Sequence, residues 1–293
     1  MRVTKITLFI LIIGLLLTAC SPEDLAEGIG QDILEQVIQG ISQAVGLVPS
    51  DGEEDISVLP DPEPADDDDP ATEAMDTSIS WREEHILIES DVPAYTIDII
   101  YPILEGDSES VDPFNHEMAY LAEVIQEVFI QSVEEREEQR TDDSVPATSF
   151  LEITYEMTYA EHDLISAYLP VTTYLAVAAH PAIESFSYNY DLSSQTFLVP
   201  QDLFISGIAY PEAVLTTIET ALMARDFGYQ PGSAAEVMET HTNWNVVPEG
   251  LRINFDAYQV GPGAAGPQLV VIPWAEIAEL LDTGGPAGHF IVE

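Results

Sequence analysis

Polar and apolar residues alternate at the start of the chain body, which begins near Trp81. Residues 84–89 alternate and residues 94–103 run apolar with β-branched side chains, so both segments are predicted to be strands. A helix is predicted next, because Asp112 and Pro113 suit a helix start and apolar residues then recur in steps of three and four. Its predicted buried stripe contains Phe114, Met118, Leu121, Ile125, Val128, Phe129 and Ser132.

Strands dominate the pattern in the second part of the body. They are predicted at residues 150–159, 164–179, 182–191, 251–260 and 268–272, with Pro170 marking a break or an edge position. Two more helices are predicted, at residues 211–227 and 275–281. Strands outnumber helices and do not alternate with them regularly. The sequence therefore predicts an α+β fold, with a mainly antiparallel sheet and packed helices.

Two segments with different patterns precede the body. Within residues 23–47, apolar residues recur at helical spacing. This spacing predicts a short amphipathic helix that packs on the domain, self-associates or lies on a membrane. Residues 49–78 are rich in proline and aspartate and contain no basic residue, which predicts a disordered acidic linker. The aspartate run at residues 66–69 lacks the alternating ligands and the glycine of a calcium loop.

The first twenty residues indicate where the protein resides. Arg2 and Lys5 precede an apolar run at residues 6–17. As a helix this run would extend roughly 18 Å, well short of the ~30 Å bilayer core, so it predicts a signal peptide. The segment ends in Leu17-Thr18-Ala19-Cys20, which resembles the lipobox of bacterial lipoproteins, and Cys20 is the only cysteine in the chain. The resemblance implies a lipidated Cys20 that anchors the body to an extracytoplasmic membrane face.

The charge of the chain restricts its partners. The sequence has 7 basic and 53 acidic residues, for a formal net charge of −46. Such a field repels phosphates and anionic lipid surfaces, so nucleic acid is not expected as a partner. Hydrophobic residues make up 46% of the chain, which is enough for a packed core. The acidity also fits adaptation to high salt, and both explanations stay open at this point.

Motifs for catalysis and for cofactor binding fail when their contexts are tested. The HExxH-like segment at His116 has Tyr120 where the second zinc ligand belongs, and the six histidines show no ligand spacing. Residues 261–266 fit GxGxxG, but Pro267 follows at once and a predicted strand begins at Gln268, so this segment is predicted to be a loop between strands. We therefore expect no metal and no cofactor. With 53 acidic residues, a catalytic carboxylate pair stays possible.

Several short motifs, taken in order, resemble a known domain family. They are Ala178–Pro181, Phe186–Asp191, Leu198–Phe204, Gly250–Phe255, Tyr258–Pro262 and Ile272–Trp274. Together they resemble the RsiV-like C-terminal domain, which forms the outer part of the anti-sigma factor RsiV and accompanies the catalytic domain of the peptidoglycan deacetylase PdaC. The family often carries an aromatic residue after Pro262, where this chain has Gly263. More weakly, residues 81–135 are similar to the small companion domain that usually precedes it.

The residue patterns of the first 78 residues and the resemblance of the remainder together predict a domain organisation. It comprises a lipoprotein signal peptide at residues 1–19, an amphipathic helix at 20–48, a disordered acidic linker at 49–78, a companion domain at 79–145 and the RsiV-like domain at 146–293.

The same resemblance implies a binding function. We expect a non-catalytic envelope lipoprotein that binds a wall-associated glycan or a basic lysozyme-like protein. A carboxylate-dependent peptidoglycan hydrolase or deacetylase and a structural envelope protein are the alternatives. The expected binding residues are His180, Gly261, Pro262, Gly263, Ala264, Ala265 and Gly266.

Overall fold

The computed structural model of the protein describes residues 79–139, 148–176, 178, 180–238 and 243–291. These residues belong to one compact unit that spans residues 76–293. Cys20, the signal peptide, the amphipathic helix and the acidic linker predicted for residues 1–78 lie outside the described residues. Within the described part of the chain, none of the helices is both long enough and apolar enough to cross a membrane.

A hairpin and a long helix open the described chain. Strand β1 (Trp81–Asp91) pairs antiparallel with β2 (Ala94–Leu104), and helix α1 (Ser108–Gln139) follows. Helix α1 lies on the face of the sheet that carries Ile97 and Ile99, both fully buried. The predicted stripe is buried at five of its seven positions, and Val128 and Ser132 are half-buried.

The predicted start of α1 at Asp112 is wrong. The Asp107 carbonyl accepts hydrogen bonds from the N–H groups of Ser110 and Val111, so the first turn closes before Pro113. Pro113 has no backbone N–H, so the helix lacks one hydrogen bond at this position. The turn that closes at Asp107 allows the helix to begin before the proline.

The first sheet then grows by five strands. They are β3 (Ser149–Ile153), β4 (Glu156–Glu161), β5 (Leu164–Tyr174), β6 (Ala182–Asp191) and β7 (Thr196–Phe197). The order is β1-β2-β3-β5-β6-β7, with β4 also pairing with β5. Strands β2 and β3 are parallel and the other pairs are antiparallel. The predicted α+β class with a mainly antiparallel sheet is confirmed. This sheet contains strands from both sides of residue 145, the predicted boundary between the companion domain and the RsiV-like domain. The division into these two domains stays a prediction.

Pro170 lies inside β5, which continues through it. On one side Pro170 pairs with Ser185 of β6. On the other side it faces the gap between the end of β3 and the start of β4, where its carbonyl accepts from the N–H of Thr154. Strand β5 is therefore continuous, and the break lies beside it, between β3 and β4. Because no strand residue among those described pairs with Pro170 on that side, the missing proline N–H costs no hydrogen bond between strands.

A second, three-stranded sheet is formed by the C-terminal part of the chain. Helices α2 (Tyr210–Met223) and α3 (Ser233–Met238) lead to strands β8 (Trp244–Val247), β9 (Gly250–Phe255) and β10 (Gln268–Pro273), which pair antiparallel, and helix α4 (Trp274–Ile277) follows. Short 3-10 turns lie at Pro200–Leu203, Gly263–Ala265, Ala278–Leu280 and Gly288–Ile291. Apolar residues of α2 and of one face of this sheet form a common core, which includes Ile218, Ile253 and Phe255.

Candidate functional site

The two sheets meet through a layer of small polar side chains. Alternation along β6 places Phe186, Tyr188 and Tyr190 on the α1 side of the first sheet, and Ser185, Ser187 and Asn189 on the opposite side. Strand β8 covers that polar side. Each sheet thus has one apolar face buried in its own core, and their two polar faces contact each other.

Ser166 and its hydrogen-bond partners form the centre of this layer. The fully buried Ser166 hydroxyl donates to Asn189 Oδ1 at 2.6 Å. It accepts from Asn245 Nδ2 and from the N–H of Val246, both at 3.0 Å. Buried amides and hydroxyls are tolerated when they satisfy each other in this way. The layer therefore fixes how the second sheet is oriented on the first.

Arg252 lies at the margin of the polar layer. Its guanidinium group is buried and donates to both carboxylate oxygens of Glu156 at 3.0 and 3.1 Å. It also lies 5.0 Å from the centre of the Tyr168 ring, within the range of a cation–π contact. Glu156 is half-exposed, so the ion pair connects the buried layer with the surface.

Asp256 ends the polar layer and begins the loop that leads to β10. Its Oδ1 accepts from Ser185 Oγ at 2.5 Å, and Ser185 Oγ in turn accepts from Asn243 Nδ2 at 2.7 Å. Burial raises the pKa of the Asp256 carboxyl to about 6, against the opposing effect of the Ser185 hydrogen bonds. A strongly perturbed carboxyl at the base of a loop is a feature that functional sites share.

We call residues 256–267 the β9–β10 loop. It contains the GxGxxG-like segment, which lies between two strands as predicted and has no helix to receive a phosphate. Gly261 is buried against the Phe227 ring, where an added Cβ would lie 2.7 Å from Phe227 Cε2. Pro262 and Ala264 are exposed, while Gly263, Ala265 and Gly266 are half-buried. The inner side of the loop is therefore packed and its outer side faces solvent.

Tyr258 is the prominent side chain of the β9–β10 loop. It is 59% exposed and adopts a φ of 72°, a left-handed conformation that is unfavourable for a bulky residue. Its ring covers Gly263 so closely that a Cβ on Gly263 would lie 2.0 Å from Tyr258 Cζ. The β9–β10 loop therefore presents an aromatic side chain next to Gly263. The sequence gives one indication of this contact: residue 263 is a glycine, and any side chain at that position would collide with the Tyr258 ring.

His180 lies just before strand β6. His180 is exposed, and its Nδ1 lies 3.0 Å from the carbonyl oxygen of Pro181. Strand β6 begins two residues later, and its Ser185 is the residue that holds Asp256. No contact among the described residues links His180 to residues 261–266 directly, so its role in binding stays a prediction.

A second cluster joins the β4–β5 turn to the C-terminal segment. The sequence did not predict it, because its residues are far apart along the chain. Tyr159 Oη lies 3.1 Å from His162 Nδ1 and 2.8 Å from His289 Nε2. The two imidazole rings stack at 4.5 Å. Burial, followed by the charge of His162, lowers the pKa of His289. Burial also raises the pKa of Tyr159 to about 12, so the phenol stays protonated and available as a donor.

An open pocket of about 470 Å³ contains two carboxylates, Asp202 and Asp282. Asp202 Oδ2 accepts from the N–H of Val199 at 2.8 Å, and Asp282 Oδ1 accepts from the N–H of Gly284 at 2.9 Å. Each carboxylate therefore caps a turn. Within the described ranges, no group of three or more histidine, cysteine, aspartate or glutamate side chains is arranged to hold a metal.

Comparisons with known proteins give a family for part of the chain. Residues 201–275 match the family DUF3298, described as a protein of unknown function. The match begins at the turn before α2 and ends at the start of α4, so it contains the second sheet and the β9–β10 loop. No curated protein matches the chain.

Solved structures extend the likeness over more of the fold. A crystal structure of a DUF3298 family member from Bacteroides fragilis NCTC 9343 is 16% identical, with a TM-score of 0.51, and the match covers 70% of this chain and 95% of that one. A DUF3298 family protein from Pseudomonas aeruginosa PAO1 is 14% identical, with a TM-score of 0.46, covering 69% and 95%. At such identities, the first of these likenesses indicates a shared fold and nothing about activity.

Proposed function

We propose that the protein is a non-catalytic lipoprotein of the cell envelope, anchored through Cys20. In this proposal its RsiV-like domain binds a wall-associated glycan or a basic lysozyme-like protein through the β9–β10 loop. The observation that carries the proposal is the exposed Tyr258, held over Gly263 in a left-handed conformation.

The conformation of Tyr258 supports a contact role. A left-handed backbone at a bulky residue costs of order 1–3 kcal/mol and persists where the surrounding structure enforces it, often at a binding site. Gly263 supplies the space for the ring, and Gly261 anchors the loop on Phe227. An exposed, positioned tyrosine presents a flat apolar face to a sugar ring and a hydroxyl for hydrogen bonding, and such residues also dominate protein interfaces.

The distribution of charge supports a basic partner. Three of the four arginines among the described residues have partners: Arg82 pairs with Glu84, Arg252 with Glu156, and Arg225 donates to the Leu269 carbonyl. A cationic protein approaching the domain therefore meets an acidic field with few competing cations. Such a field acts over roughly 8 Å at physiological salt and mainly accelerates association.

The raised pKa of Asp256 is the one observation that supports the alternative function, a carboxylate-dependent peptidoglycan hydrolase or deacetylase. A carboxyl with a pKa of about 6 is suited to act as a general acid. Its hydrogen bond from Ser185 and its position within the polar layer favour a structural role instead. Release of reducing sugars or acetate from purified peptidoglycan, abolished by Asp256→Asn, would establish the enzyme.

Replacing Tyr258 by alanine tests the proposed function. Full-length protein in detergent is assayed for binding to a basic lysozyme and to purified peptidoglycan, at about 0.15 M and about 0.5 M salt, because short-range contacts resist screening. We expect Tyr258→Ala to weaken binding at least tenfold at both salt concentrations. Gly263→Ala, which displaces the ring, should weaken it similarly.

Met223→Ala is the matched control, because Met223 is 58% exposed at the end of α2 and lies outside the β9–β10 loop. It should leave the affinity within twofold of wild type. Equal effects of Tyr258→Ala and Met223→Ala would contradict the proposal, as would affinity that disappears at the higher salt concentration.

A further inference from the structure

Strand β1 forms a long exposed edge of the first sheet. Among the described residues it pairs only with β2, over eleven residue pairs, and each of its residues is exposed or half-buried. Within the described ranges, no strand pairs with the backbone N–H and C=O groups on its outer side. Natural sheets usually protect such edges with proline, with a bulge or with charged side chains, especially lysine.

Of these protective features β1 has only charged side chains, and most of them are acidic. The strand has neither lysine nor proline, and its eleven pairs with β2 run without a register shift. Its only arginine, Arg82, is held by Glu84 at 2.7 Å, and its only histidine, His85, lies 2.7 Å from Asp98. The strand is thus open to pairing, and its acidic side chains limit which chain can pair with it.

The two sides of β1 present different chemistry. Ile86 and Ile88 are half-buried and pair with Ile99 and Ile97, so they lie on the α1 side of the sheet. Glu83 and Glu89 are exposed on the opposite side together with Leu87, and Glu83 Oε1 accepts from Tyr155 Oη at 3.1 Å. A strand added beside β1 would extend the apolar row on the α1 side and place its other side chains next to carboxylates.

We propose that the outer edge of β1 binds an extended cationic segment of a partner protein by strand addition. Main-chain hydrogen bonds supply the affinity, and alternate side chains select the partner. Apolar residues of the segment pack beside Ile86 and Ile88, and its cations lie beside Glu83 and Glu89. A second copy of this chain is disfavoured as the occupant because it would place carboxylates against carboxylates. This surface is separate from the β9–β10 loop.

A capped peptide of alternating valine and lysine tests the proposal. Its binding to the full-length protein in detergent is measured by fluorescence anisotropy at about 0.15 M salt. Two further versions carry N-methyl groups, one on the valine amides and the other on the lysine amides. The amide N–H groups of consecutive residues point to opposite edges of a strand, so all the valine amides lie on one edge and all the lysine amides on the other. We therefore expect one methylated version to lose at least tenfold in affinity and the other to stay within threefold of the parent peptide.

Two protein variants complete the test. Leu87→Lys places a cation on the exposed edge, at a side chain that is 60% exposed, and should weaken peptide binding at least tenfold. Val92→Lys adds the same charge at an 87% exposed position just beyond the strand, and should change the affinity less than twofold. Tyr258→Ala should leave peptide binding unchanged, which separates this inference from the proposed function.

Three results would overturn the inference. These are absence of peptide binding, equal loss of affinity in Leu87→Lys and Val92→Lys, and equal behaviour of the two methylated peptides. The last two would indicate attraction by net charge alone. Loss of peptide binding in Tyr258→Ala would assign the peptide to the β9–β10 loop and contradict the inference equally.

Discussion

Replacing Asp256 by asparagine should stabilise the protein at neutral pH and have little effect near pH 4. Burial raises the pKa of Asp256 from 3.8 to about 6 in the folded protein. A carboxyl with a raised pKa contributes its full stability below the pKa of the unfolded chain and loses that contribution as the pH rises through the folded value. Above about pH 6, wild type therefore carries a buried, ionised Asp256.

The magnitude follows from the size of the shift. One pKa unit corresponds to about 1.4 kcal/mol, so a shift from 3.8 to about 6 destabilises the ionised form by about 3 kcal/mol. The asparagine Oδ1 keeps the role of acceptor for Ser185 Oγ, while its NH2 group needs an acceptor that the carboxylate did not need. We expect Asp256→Asn to gain about 1 to 3 kcal/mol at pH 7.

Urea denaturation followed by circular dichroism, at several values between about pH 4 and pH 8, measures this gain. Asp163→Asn is the control because Asp163 is exposed in the β4–β5 turn, where it has a positive φ that asparagine also accepts. The control removes the same charge from a strongly acidic chain and should change the stability by less than about 0.5 kcal/mol. A gain in Asp256→Asn that is independent of pH, or a loss at pH 7, would refute the reasoning.

Three further predictions concern the packing around the site. Gly261→Ala should lower the free energy of unfolding by about 1 to 3 kcal/mol in urea titrations, because the added Cβ collides with the Phe227 ring; an unchanged midpoint would show that the ring moves aside freely. Ser166→Ala should cost about 1 to 3 kcal/mol by the same measurement, since three buried partners lose the hydroxyl, and a cost near zero would mean that they find other partners. Burial lowers the pKa of His289, so its contribution to stability is present above about pH 6.5 and lost as the pH falls. Thermal unfolding of His289→Gln should depend less on pH between about 5 and 7 than that of wild type, and identical pH profiles would contradict this.

Local periodicity predicted the long elements, but it missed strands β7 and β8 and helix α3, and it merged β3 and β4 into one strand. Strand β6 is observed at Ala182–Asp191, as predicted, and the stripe from Phe114 to Phe129 packs on the sheet. The reason is that alternation and helical spacing depend on neighbouring residues alone. The boundaries are less accurate: β9 ends at Phe255, where the strand was predicted to reach residue 260. The β9–β10 loop was also recognised, because proline and glycine interrupt both patterns.

The contents of the candidate site depend on tertiary structure. Alternation along β6 places Ser185, Ser187 and Asn189 on one side of the strand, and such a polar side is typical of a face in contact with water. That side is instead covered by strand β8, whose Asn245 lies 58 residues from Ser187. Tyr159 and His289 are 130 residues apart.

The position of Tyr258 over Gly263 is likewise a result of how the loop closes. Short-range patterns determine which side chains share a face, whereas burial, pKa shifts and contacts depend on which distant segment covers that face. The long elements and the acidic character of this protein therefore follow from the sequence alone. Strand β8, the polar layer, the raised pKa of Asp256 and the exposed tyrosine follow only from the folded chain.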